Sequence, residues 1–66
     1  MEYILTRHAQ ERLDKCGLTI DQVILTIKKG AKIKQTDGFI VVYTYIRVAY
    51  VIREERCIIK TVMIQD

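Results

Sequence analysis

Residues 19–45, TIDQVILTIKKGAKIKQTDGFIVVYTY, switch hydrophobic period part-way, and that switch sets the fold class. Up to Lys29, apolar side chains recur at Ile20, Val23, Ile24 and Ile27, the i, i+3, i+4, i+7 spacing of one helical face. Thr19-Ile20-Asp21-Gln22 has capping-box form, with Thr at N-cap and Gln at N3, and Asp21 complements the positive end of the helix dipole. Lys28 and Lys29 suit the carboxyl end, and Gly30 is expected at C′, so a helix is predicted over about residues 20 to 29. Leu25 falls on the opposite side, either as a lone exposed leucine or as part of a partner surface.

From Ala31 the period becomes two, and β-branched and aromatic residues dominate up to Ile64. Asp37-Gly38 signals a hairpin between strands near 31 to 36 and 39 to 44. Arg53-Glu54-Glu55-Arg56 supplies another reversal, between strands near 47 to 53 and 56 to 64. No turn residue stands between Thr44 and Arg47, which leaves a tight turn or a bend in one long strand. Alternation puts Ile58, Lys60, Val62 and Ile64 on one face of the last strand, and Cys57, Ile59, Thr61 and Met63 on the other. Both faces are mostly apolar, which predicts an internal strand with helices on one side and a subunit or partner peptide shielding part of the other.

Toward the amino end, residues 2 to 5 alternate as a short strand would, and Thr6 suits the N-cap of a helix that runs to about Lys15 and ends at Gly17. Projection at 100° per residue gathers Leu5, Ala9, Leu13 and Cys16 into its buried stripe. His8, Arg12 and Lys15 line one border, while Arg7 and Glu11, four apart, pair on the solvated side. The expected architecture is a small α+β domain with two N-terminal helices packed on an antiparallel sheet of four to five strands.

Sixty-six residues, half of them hydrophobic, suffice for one core and one site. Eleven Lys and Arg against eight Asp and Glu leave a net charge of +3, a mild basic excess that permits RNA or DNA contact without demanding it. Cys16 and Cys57 form neither a CxxC pair nor a Cys/His cluster, so no metal site is expected, and both read as buried thiols of a cytoplasmic protein. MEYIL lacks a basic n-region, and arginines interrupt the apolar run after Phe39, so neither a signal peptide nor a membrane span is expected. So small a core makes a homo-oligomer or a bound partner plausible beforehand.

The chain's only histidine, His8, sits in a first helical turn beside Arg7, with Arg12 one turn on. Free N–H groups and the positive dipole end there attract anions, and these cations would turn that end into a phosphate site. A neutral imidazole beside phosphate is what a general base needs to take a proton from a ribose 2′-hydroxyl. Lys60, Arg47 or Arg53 would then stabilise the phosphorane charge, giving RNA cleavage without metal or cofactor. Plainer readings stand beside this one. His8 serves equally as a hydrogen-bonded structural residue, and Arg12 as a stem that covers the core with its head in water. Lys60 breaks an apolar pattern, as functional residues do, yet an anti-aggregation lysine is an adequate account. Tyr43, Tyr45 and Tyr50 stack bases or simply pack. The sequence has no phosphate-binding glycine loop, no paired carboxylates within one helix or strand, and no serine to serve as nucleophile.

TRHAQERL, GLTIDQVILTIKKG, RVAYVI and CIIKTVMI together resemble an uncharacterised family of short bacterial and archaeal domains, the domain of unknown function numbered 4258. The resemblance spans most of the chain. It rests on a His-Ala-x-x-Arg motif (His8, Ala9, Arg12), a helix opening at Gly17, Leu18 and Thr19, and a final-strand Thr61-Val62 pair. It implies a fold similar to RelE/ParE-type toxins and related small ribonucleases, whose cationic sheet residues contact RNA, with an antitoxin-like protein as partner. Carried over, it makes His8, Arg12, Lys60 and Thr61 the candidates; Cys16 stands where the family often has a basic residue, which weakens a fully basic groove. The expectation is a toxin-like endoribonuclease or a degenerate relative, with a non-catalytic interaction module as the alternative.

Overall fold

The computed structural model describes residues 1–65. Strand β1 (Glu2–Leu5) precedes helices α1 (Arg7–Cys16) and α2 (Ile20–Lys29), and strands β2 (Ala31–Gln35), β3 (Gly38–Tyr43), β4 (Ile46–Arg53) and β5 (Arg56–Ile64) follow. The five strands form one sheet in the order β1-β5-β4-β3-β2. Strands β2 to β5 are joined by hairpins and pair antiparallel, whereas β1 pairs parallel to β5, with Glu2 opposite Arg56 and Leu5 opposite Ile59. The sheet is therefore mixed rather than antiparallel, and the helices lie between two strands rather than at the amino end. No tight turn links β1 to β5, so nothing local imposes an antiparallel sense on them. No helix among the described residues is long and apolar enough to cross a membrane.

Both helices are bounded by the caps their sequences announce. Thr6 Oγ1 accepts from Ala9 N, and Gly17, at φ 68°, closes α1 with Gly17 N–H on Asp14 O and Leu18 N–H on Leu13 O. Thr19 and Gln22 form the reciprocal box at the start of α2. Gly30, expected in the left-handed region, is extended at φ −75° and is glycine for another reason: a Cβ there would lie 2.6 Å from Val41 Cγ2 and from the Thr26 and Val42 carbonyl oxygens. Helix α2 buries Val23, Thr26 and Ile27, while Ile20 is exposed. Thr26 is tolerated in the core because its hydroxyl donates to Gln22 O at 2.8 Å.

The helices cover one side of the sheet, α1 on β5 and α2 on β3 and β4. Between them Ala9, Leu13, Val23 and Ile27 meet Val41, Val48, Tyr50, Cys57, Ile59 and Val62. Cys16, expected in the interior, is only half-buried. Strict alternation along β5 is broken: Tyr50 pairs Ile59 but Ala49 pairs Thr61, so Lys60 is an extra residue in a β-bulge. Cys57, Ile59, Val62 and Ile64 consequently share the helix side, and the face assignment read from alternation changes after Lys60.

Three two-residue loops close the hairpins. Thr36-Asp37 forms the first, one position earlier than expected, with Gly38 opening β3 at φ 110°. Thr44-Tyr45 resolves the join near residues 44 to 47 as a tight turn between the paired residues Tyr43 and Ile46. Glu54-Glu55 lies between Arg53 and Arg56, with both glutamates at positive φ.

Candidate functional site

Strand β1 ends opposite Ile59, while β5 continues to Ile64, which leaves carbonyls along the outer edge of β5 without a strand beside them. Residues at and after the start of α1 supply the donors. Thr6 N–H donates to Ile59 O at 3.1 Å, Thr6 Oγ1 to Lys60 O at 3.3 Å, and Arg12 Nε to Val62 O at 3.2 Å. Ala9 is fully buried, and its small side chain lets the helix lie close to the strand. The His-Ala-x-x-Arg motif thus has a structural job, closing a sheet edge whose polar groups need partners.

His8 is exposed at this edge, its Nε2 lying 3.2 Å from Thr61 Oγ1, with the donor set by the imidazole tautomer. His8, Arg12 and Thr61 are thereby brought together. Lys60 is not turned toward them. Its Nζ lies 3.8 Å from Asp37 Oδ2, beyond the intervening strand β4, and Arg53 Nη2 donates to Asp37 Oδ1 at 3.0 Å. Arg7 faces water and its Nε lies 3.8 Å from Glu11 Oε1, a contact of little energy between exposed groups. Arg47 is half-buried on β4, and its Nε is buried with no acceptor among the described residues. Among the described residues, no three His, Cys, Asp or Glu side chains converge to hold a metal ion.

A larger surface feature lies on the side of the sheet opposite the helices. Register places Ile33, Ile40, Ala49 and Thr61 in one row across β2 to β5, and Ala31, Val42, Arg47 and Met63 in the next. Ile58 and Ile4 continue the surface toward β1, beside Val51, which is itself buried. Ile33 is 52% exposed, and no helix or strand covers the rows. The apolar character of both faces of β5 signals this surface in the sequence; Ile33, Ile40 and Val42 carry no separate signal, because apolar strand residues read equally well as core.

Burial raises the pKa of Tyr50, with Cys57 and Tyr3 adding to it, and burial alone raises that of Cys57. Both belong to the layer under the helices, where Tyr50 stacks on Phe39 at 5.4 Å. An open concavity elsewhere, lined by Met1, Glu2, Ile52, Glu54, Glu55 and Arg56, carries three carboxylates and is ill-suited to phosphate.

No family model, curated protein or solved structure matches this chain.

Proposed function

We propose that the chain is a non-catalytic interaction module that holds a segment of another protein against the helix-free side of its sheet. The row Ile33–Ile40–Ala49 carries this reading: apolar side chains cross three strands, β2 to β4, without a covering element and reach Thr61 on β5, with Ile33 half-exposed at the other end. Covering such surface contributes roughly 25 cal/mol per Å². Arg47 Nε fits the same account, because a carbonyl or carboxylate from outside would satisfy a buried donor that has no acceptor among the described residues. A protein suits the surface better than RNA does. Tyr50 is packed under the helices rather than offered to bases, and Asp37 engages both Lys60 and Arg53. Free thiols at Cys16 and Cys57 suit a reducing cytoplasm.

A hydrophobic fluorescent dye should bind the native chain and shift the amide resonances of Ile40, Ala49 and Val51, and Ile40→Glu should abolish both effects while the helices persist. The chain should leave RNA intact in the absence of divalent ions. Dye shifts confined to the helices, or RNA cleavage that disappears in His8→Ala, would overturn the reading.

One observation favours a second reading, a toxin-like metal-independent endoribonuclease or a degenerate relative with a RelE-like fold: His8 is solvent-accessible beside Thr61, with Arg12 a turn away. His8 would serve as base, and Arg12, Lys60, Arg7, Arg47 and Arg53 as phosphate ligands. Arg12 would have to release Val62 O and Lys60 to release Asp37, which makes this the weaker account. In it, the segment held on the open face would come from an antitoxin-like protein.

A further inference from the structure

We infer that the free edge of β2 extends the sheet by one strand, taken from a different protein and alternating acidic with apolar side chains. This rests on the reading of the helix-free face as a docking surface and names how the partner is held and what it must carry.

Strand β2 ends the sheet, so the backbone groups on its outer side have no strand beside them. It also differs from the other four strands in that all five of its residues are exposed. Ile33 lies opposite Ile40 and extends the apolar rows to the edge, so an added strand would continue that surface with an apolar side chain beside Ile33. Lys32 and Lys34 lie opposite Val41 and Phe39, on the other side of the sheet, and α2 packs over β3 and β4 rather than over them. Among the described residues neither lysine has a carboxylate within ion-pair distance. Two unpaired cations two residues apart on one side call for acidic side chains at the matching positions of the incoming strand.

The same lysines disfavour a second copy as occupant in the registers that overlap most of β2. An antiparallel self-pair must keep helix side with helix side. Centred on Ile33, it sets Lys32 against the copy's Lys34. Shifted by two in either sense, it sets Lys32 or Lys34 against its own equivalent. Every such register opposes like charges directly, which is unfavourable across a strand pair. Lysines on an edge also restrain uncontrolled aggregation, and here they do so while leaving the edge open to a strand of complementary charge.

The test uses two capped peptides of about nine residues, one alternating valine with glutamate and one alternating valine with lysine. Titrated into the isotope-labelled chain, the valine–glutamate peptide should shift the amides of Lys32 to Gln35 and protect them from hydrogen exchange. It should bind about tenfold more tightly than the valine–lysine peptide, a ratio that two cross-strand charge pairs supply. The doubly substituted chain Lys32→Glu, Lys34→Glu, shown by circular dichroism to keep its fold, should reverse the preference. Equal binding of both peptides, or a preference that survives the charge reversal, overturns the inference. Peptide shifts at Ile40 and Ala49 without β2 protection defeat strand addition while upholding the docking face, and peptide shifts at neither, together with a failed dye test, defeat both.

Discussion

Arg12 and Gly30 show how one residue type can be right for an unforeseen reason. Arg12 was legible as a border residue of α1, and its stem does lie half-buried, but its Nε is committed to Val62 O. Spacing along a helix carries no information about a carbonyl fifty positions later in the chain. Arg12→Met keeps the stem and removes the donor, and should lower unfolding free energy by about 1–2 kcal/mol in urea titration. A purely ligand-binding arginine would leave the urea midpoint unmoved. Gly30 was expected from its place after a helix, yet its requirement is space against β3 rather than backbone freedom. The exposure of His8 and its contact with Thr61 were equally beyond the sequence, because they depend on how α1 passes the end of β1.

At the scale of elements, the bounds of α1, α2, β4 and β5 follow closely from caps and period, since those signals act within a few residues. The bulge at Lys60 was hidden, because an inserted residue leaves the string of apolar letters unchanged and is visible only in the register with β4. What the sequence flagged as a misplaced lysine is the residue that restores Val62 to the core. The Glu54-Glu55 loop is a second local irregularity, with φ 49° and 64° at residues that disfavour the left-handed region. Glu54→Asn with Glu55→Gly should relieve this and stabilise the chain by about 1–2 kcal/mol. The change would raise the thermal midpoint by roughly 5 °C or more, measured by circular dichroism.

For the whole molecule, the class α+β with helices on one side was legible, and the parallel seam between β1 and β5 was not. Period and propensity act locally, whereas that pairing joins residues more than fifty positions apart. Stability should also depend on alkaline pH. Tyr50 and Cys57 hold their protons more tightly when folded than their ordinary values of 10.0 and 9.0, so the unfolded chain loses them first. Their contribution is complete below those values and falls as pH rises through them. The urea midpoint should therefore decline above about pH 9, and less steeply in Tyr50→Phe.

The seam has a kinetic corollary during synthesis. The ribosome makes β1 and both helices before any of the surface they cover exists, and β5 is the last strand to emerge. The β2–β5 hairpins require only short loop closures, whereas the seam requires nearly the entire chain. Until β3 and β4 have been made the amphipathic α2 stays without its sheet, and α1 waits longer for β5, an interval in which the uncovered helices are natural substrates for a nascent-chain chaperone.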